Sequence, residues 1–139
     1  MEIHINWLAV VLATVVSLIL AKAWYSEMAF GNIWRELTGI TPADSKKAGK
    51  TPMIITLFAN IITVAALAAT IYIGSVFFKN TSIWYALLNG FVAWLAFSAT
   101  TLVTHNAFEQ KRQKLTLINS GYQLALLLLA ALIIGWLGA

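Results

Sequence analysis

The sequence predicts an all-α, polytopic membrane protein with four transmembrane helices and a short amphipathic helix lying in the interface of the first loop. Three observations carry this reading. Of 139 residues, 60% are hydrophobic and 10% charged, and the mean hydropathy is +0.82, well outside the range of water-soluble domains. Four runs reach the roughly 20 apolar residues that a helix needs to cross a bilayer core: about 5–24, 53–78, 82–103 and 115–137. None alternates with the two-residue period of a strand, and backbone groups in lipid must be satisfied within the chain, which leaves helices. Residues 1–139 therefore read as one four-span domain.

The first run carries Glu2 in its flank instead of cations, and "AKAWYSEM" after it is a poor cleavage site. It is read as a mature span and not as a secretory leader. In the first loop, Phe30, Ile33, Trp34 and Leu37 fall at i, i+3, i+4 and i+7, with Asn32, Arg35 and Glu36 opposite. This spacing predicts an interfacial helix over about 29–38. Thr41-Pro42-Ala43-Asp44 can open one more helical turn, and "SKKAGK" after it reads as solvated loop. Thr51 followed by Pro52 predicts an N-cap and first-turn proline for the second span. Asn80-Thr81-Ser82 supplies caps for the third, so the hairpin between spans two and three is short.

Cations divide unevenly between the loops. Lys22, Arg35, Lys46, Lys47 and Lys50 flank the first, Lys111, Arg112 and Lys114 the third, and only Lys79 the second. The positive-inside rule then places the first and third loops in the cytoplasm and both termini outside. Trp7, Trp84 and Trp136 would mark the outer interface and Trp24 and Trp34 the inner one, leaving Trp94 at mid-membrane as a packing residue. The net charge of +4 is spent on orientation, so nucleic acid is not expected as a partner. The lipid bilayer is, together with further copies of the chain or another membrane protein.

Sorted by depth, the polar residues gather at the cytoplasmic ends of the spans: Lys22, Tyr25, Ser26 and Glu27; Thr56 and Asn60; Thr101, Thr104, His105, Asn106 and Glu109; Asn119, Ser120, Tyr122 and Gln123. Polar groups in hydrocarbon are costly and face the bundle interior, so a polar cluster or vestibule is expected there. Beyond it the fourth span reads "LALLLLAALIIG", without a hydrogen-bonding side chain. A stripe of Thr56, Asn60, Thr63 and Thr70 continues along one face of the second span, although threonine hydroxyls commonly bond their own helix. Asn60, Asn89, Asn119 and Gln123 are read as bonds between helices. Ala86/Gly90 and Gly121/Ala125 have the small-xxx-small spacing of closely approaching helices.

No cysteine is present, which removes disulfides, thiolate ligands and thiol nucleophiles. Phosphate loops, nucleophile elbows and HExxH are likewise absent, so catalysis is not expected and no cofactor is indicated. His105 and Glu109, four residues apart, could relay a proton or bind a metal, but two ligands fall short of a zinc set. An ion pair or hydrogen bond at the interface is the plainer reading, as is a snorkelling Lys22, whose alternative is a bridge to Glu109.

The segments "WYS" (Trp24–Ser26), "FGNIW" (Phe30–Trp34), "HNAFEQ" (His105–Gln110) and "LINSGY" (Leu117–Tyr122) resemble the DUF1761 family of small bacterial four-span membrane proteins. The chain departs from the pattern after "WYS", where the family usually has proline and this sequence has Glu27. The resemblance implies the four-span fold and a bacterial inner membrane, and no activity. Its segments place Trp24, Tyr25, Ser26, His105, Asn106, Glu109, Asn119 and Tyr122 in the cluster that depth sorting reaches independently; Glu27, Asn60 and Gln123 complete it. Three functional readings follow. They are a homo-oligomeric transporter or channel for a small solute or ion, a noncatalytic accessory or scaffold subunit of a larger membrane complex, and a membrane enzyme or ligand sensor.

Overall fold

The computed structural model describes residues 2–139, and among these every regular element is helical. In chain order they are α1 (Trp7–Trp24), α2 (Gly31–Thr38), α3 (Pro42–Ala48), α4 (Thr51–Phe78), α5 (Ile83–Ala93), a π-helical stretch (Trp94–Ala99), α6 (Thr100–Phe108) and α7 (Gln113–Leu137). Helix α5, the π-helical stretch and α6 form one continuous rod. Four helices are thus long and apolar enough to cross a membrane: α1, α4, the Ile83–Phe108 rod and α7.

Helix α7 is the centre of the bundle, packing on α1, α5 and α4, while α4 also packs on α1 and α5. Its buried face, which includes Leu126, Leu127, Ala130, Ala131 and Ile134, meets Ala9, Val10 and Ala13 of α1, Val64, Leu67, Ala68 and Ile71 of α4, and Ala86 of α5 in one apolar core. Lipid chains are as apolar as leucine, so close packing and hydrogen bonds between helices must hold such a bundle together. The many alanines let backbones approach. The outward faces of α1 and α4 expose Leu8, Val11, Ile19, Ile55, Phe58 and Ile62, the surface a lipid environment covers.

Side-chain caps set the starts of α1, α3 and α5. Asn6 accepts from the Ala9 amide at 3.2 Å and donates to the Leu137 carbonyl at 3.2 Å, which ties the start of α1 to the end of α7. Ser82 caps α5 through the Tyr85 amide, as its sequence predicts, and the α4–α5 hairpin turns through Lys79 in the left-handed region, φ 53°. Three expectations need correction. Thr51 lies inside α4 and its cap position is Lys50, which makes no side-chain cap bond. The third span runs to Phe108, past the expected 103, because Asn106 finds a partner in Thr116 of α7 (2.9 Å) that holds the extra turn in place. "SKKA" continues helix α3 and is not loop, although its residues stay largely exposed.

Helix α3 holds through a reciprocal capping box: Asp44 N–H donates to Thr41 Oγ1 (3.1 Å) and Thr41 N–H to Asp44 Oδ2 (2.9 Å). The Thr41 backbone bond holds the Asp44 carboxyl below the usual carboxylate range, with the Thr41 hydroxyl adding to it. A depressed carboxylate pKa contributes stability that is complete above the unfolded value and is lost as pH falls through the folded one. Acidification below that range should therefore fray α3 first. Hydrogen exchange at Asp44 and Ser45 should accelerate before that of the four long helices, and Asp44→Asn should abolish the pH dependence.

Candidate functional site

At the end of the bundle away from the termini, the turn after α1 is folded tightly on itself. Ser26 O accepts from the amides of Ala29 (3.1 Å) and Gly31 (2.9 Å), Trp24 O accepts from Phe30 N–H (3.0 Å), and the Ser26 hydroxyl donates to Ala23 O (2.7 Å). This reversal lays α2 against α7. Trp24 and Phe30 pack at a tilt of 42° with ring centroids 4.8 Å apart, and Trp34 meets Tyr25 edge-on at 5.8 Å. The polar side of α2 departs from its expected exposure at one residue. Asn32 and Glu36 are exposed, but Arg35 is half-buried and bonds Ile40 O (3.2 Å) and Ser45 Oγ (3.0 Å), joining α2 to α3.

Two connected polar layers lie inside. In the deeper one, buried Asn60 donates to Ser17 Oγ (2.8 Å) and to the Tyr122 hydroxyl (3.3 Å), which donates to the Ser17 carbonyl (3.4 Å). Nearer the end, Tyr25 donates to Asn119 Oδ1 at 2.8 Å, and its ring lies 5.6 Å from that of Tyr122. The fourth span is also gripped through its backbone. The Trp24 indole donates to Ile118 O (3.0 Å) and the Trp94 indole to Ser120 O (2.8 Å). Among the described residues, no buried side-chain nitrogen or oxygen lacks a partner. The cluster knits α1, α4, α7 and the third span together, and a lateral groove of about 500 Å³ lined by Ala21, Lys22, Tyr25, Met53, Thr56 and Tyr122 opens beside it.

The structure divides the sequence-predicted residues. Tyr25, Asn60, Asn119 and Tyr122 come together, with Trp24 beside them. Asn106 belongs to a separate bond with Thr116, Ser26 closes the turn, Glu27 is exposed within it, and half-buried Gln123 makes no side-chain hydrogen bond. Asn89 is not a bond between helices, since it donates back to Tyr85 O at 2.9 Å. His105 is exposed, and Glu109 turns to Lys111 at 2.8 Å and not to Lys22. The Lys111 hydrogen bond and charge hold the Glu109 carboxyl below its ordinary range, so this group is ionised at neutral pH. No set of three or more His, Asp or Glu side chains converges among the described residues.

Two participants escaped the sequence reading. Ser17 sits in an apolar run, where a lone hydroxyl usually bonds its own helix. It does so here, to Thr14 O at 2.6 Å, while also accepting from Asn60; its spacing of eight residues before Tyr25 could have marked it. Trp94 was expected only to pack. It opens the π-helical stretch, a widened turn that recurs at functional sites, and in that stretch the Ala96 and Phe97 carbonyls accept from the Thr100 and Thr101 hydroxyls (both 2.7 Å).

Removing the Asn60 donor or the Tyr122 hydroxyl should loosen the bundle moderately, because hydrogen bonds between membrane helices contribute about 0.6 kcal/mol on average and about 1.7 at most. Asn60→Leu and Tyr122→Phe should each lie in that range by equilibrium unfolding in mixed micelles. The double variant should cost less than the sum, since the two share one bond.

Further lateral grooves lie around the bundle. One of about 360 Å³ is lined by Trp24, Phe30, Ile33, Lys114, Leu117, Ile118 and Gly121, so that "WYS", "FGNIW" and "LINSGY" meet along it. Another, of about 270 Å³, lies farther along the helices between α4, the third span and α7 and presents Thr63, Thr70 and Ser98.

Four long apolar helices closed by a polar knot at one end define a polytopic helical protein suited to a lipid environment. A family model described as "Protein of unknown function (DUF1761)" matches residues 8–135. The chain belongs to the DUF1761 family. No curated protein and no solved structure matches it.

Proposed function

We propose that the protein is a noncatalytic accessory or scaffold subunit of a membrane complex, with its cation-rich end in the cytoplasm and both termini outside. The observation that carries this reading is that the buried polar side chains of the cluster are satisfied within a single copy. Asn60, Ser17 and Tyr122 bond one another, Tyr25 bonds Asn119, and the Tyr25 and Tyr122 rings join the two sets; the next layer toward the termini is the apolar core of Val10, Ala13, Val64, Leu67, Leu126 and Ala130. A single copy so built offers no wet route across, and Glu109, the carboxylate best placed to titrate, is held by Lys111. The cation asymmetry between loops supports the orientation. Native mass spectrometry after gentle extraction from the protein's own membranes should find a stoichiometric second membrane protein. A pure homo-oligomer would count against the proposal.

A second reading, a homo-oligomeric transporter, has one observation in its favour. The groove bearing Thr63, Thr70 and Ser98 opens sideways on the apolar surface, so several copies could turn these hydroxyls toward a shared pathway. It predicts that reconstituted flux falls at least tenfold in a Thr63→Val, Ser98→Ala double variant. Absence of flux from vesicles holding the wild-type chain alone is the outcome the scaffold reading expects.

A further inference from the structure

We propose that the groove between α1, α2 and α7 is a binding site for an anionic glycerophospholipid, with one acyl chain along its apolar floor and the phosphate on Lys114. The groove runs beside α7 from Lys114 to Gly121, opens sideways, and lies just inside the cation-rich end. Its walls are the rings of Trp24 and Phe30, the side chains of Ile33 and Ile118, and Leu117, which is 72% exposed. Gly121 keeps the floor low: a Cβ there would stand 3.1 Å from the Trp24 ring. The single polar donor of the Trp24 indole is already spent on Ile118 O, so the walls offer hydrocarbon and ring faces and nothing for a polar solute to bond. At the rim stands one cation. Lys114 is exposed, lies in the first turn of α7, where no acidic residue occurs, and has no ion-pair partner among the described residues, whereas its neighbour Lys111 is occupied by Glu109.

An apolar trough with one free ammonium at its interfacial end matches an amphiphile with an anionic head. A partner's transmembrane helix would need a carboxylate at the depth of Lys114 to meet its charge, a free phosphate would leave the trough unused, and an anionic phospholipid supplies both parts in one molecule. Helix α2 gains a role from this, since its Phe30–Ile33 face forms one wall. The inference stands whether or not the chain is an accessory subunit, because it concerns only this groove.

The test is native mass spectrometry of delipidated protein in detergent, titrated with phosphatidylglycerol or with phosphatidylcholine of the same acyl chains. Phosphatidylglycerol should be retained preferentially, and Lys114→Gln should weaken it about fivefold, the share of one lysine at a lipid surface. Lys47→Gln, an exposed cation of α3 away from the groove, should leave retention unchanged. Ile33→Asn, which makes a wall polar while keeping Lys114, should weaken both lipids. Unchanged thermal midpoints in the two lysine variants will separate binding from folding. Equal retention of the two lipids, equal losses from Lys114→Gln and Lys47→Gln, full competition by inorganic phosphate, or a protein crosslinked through position 117 in native membranes would each overturn the proposal.

Discussion

Gly90→Leu should separate the third and fourth spans and cost about 3 kcal/mol, at the upper end of what overpacking causes. Helices α5 and α7 make the most extensive contact in the bundle, and Gly90 sits at a close approach within it. A Cβ built there would lie 2.8 Å from the Leu127 carbonyl oxygen and 3.0 Å from the Ala131 Cβ. The first of these is backbone within a helix and cannot swing aside, so the helices themselves must part. Parting them also pulls the Trp94 indole from the Ser120 carbonyl, which lies on the same interface. Gly74→Ala is the informative contrast. Its new Cβ would run into the hydroxyl end of Tyr85, a side chain that can rotate away, and the gain of about 1 kcal/mol in helix propensity offsets the adjustment. Unfolding in mixed micelles should therefore show Gly90→Leu far below wild type and Gly74→Ala close to it. Equal midpoints for Gly90→Leu and wild type would mean that the α5–α7 seam is looser than its geometry.

The success of the small-xxx-small reading at Ala86 and Gly90 illustrates what sequence could and could not reveal. Length and apolarity set the four long helices within a few residues, because both follow from the thickness of the hydrocarbon they must cross. Ser82 and Thr41 were legible as caps, since the chemistry of a cap is local. Polarity along the spans also grouped Tyr25, Asn60, Asn119 and Tyr122 at one end of the bundle, where the structure brings Tyr25 to Asn119 and Asn60 to Tyr122. Which of them touch was not legible, because depth carries no information about the rotation of each helix about its axis. Rotation turns Asn60 inward to Ser17, leaves His105 exposed, and aims Asn89 at its own helix. The π-helical stretch at Trp94–Ala99 had no sequence signal that periodicity could detect, since it shifts the register of the third span within an unbroken apolar run.

Gly31→Ala should undock α2 while sparing the four long helices, with a local cost of about 3 kcal/mol. Gly31 is buried in the turn that follows α1, and a Cβ there would be 2.5 Å from the Tyr25 carbonyl oxygen and 2.6 Å from that of Ser26. Both atoms are backbone in a segment already fixed by the amides of Ala29, Phe30 and Gly31 itself. No side-chain rotation relieves the contact, so the turn must open. Once it opens, Phe30 leaves Trp24 and Trp34 leaves Tyr25, exposing the upper polar layer and removing one wall of the lateral groove. Three readouts should then move apart. Far-UV helicity should fall by no more than the contribution of α2, proteolysis between Glu27 and Lys50 should accelerate, and retention of phosphatidylglycerol should drop as far as it does in Ile33→Asn. Should proteolysis accelerate while lipid retention stays intact, α2 would be docked as described but would not form the wall of the lipid site. The groove would then have to be assigned to α1 and α7 alone.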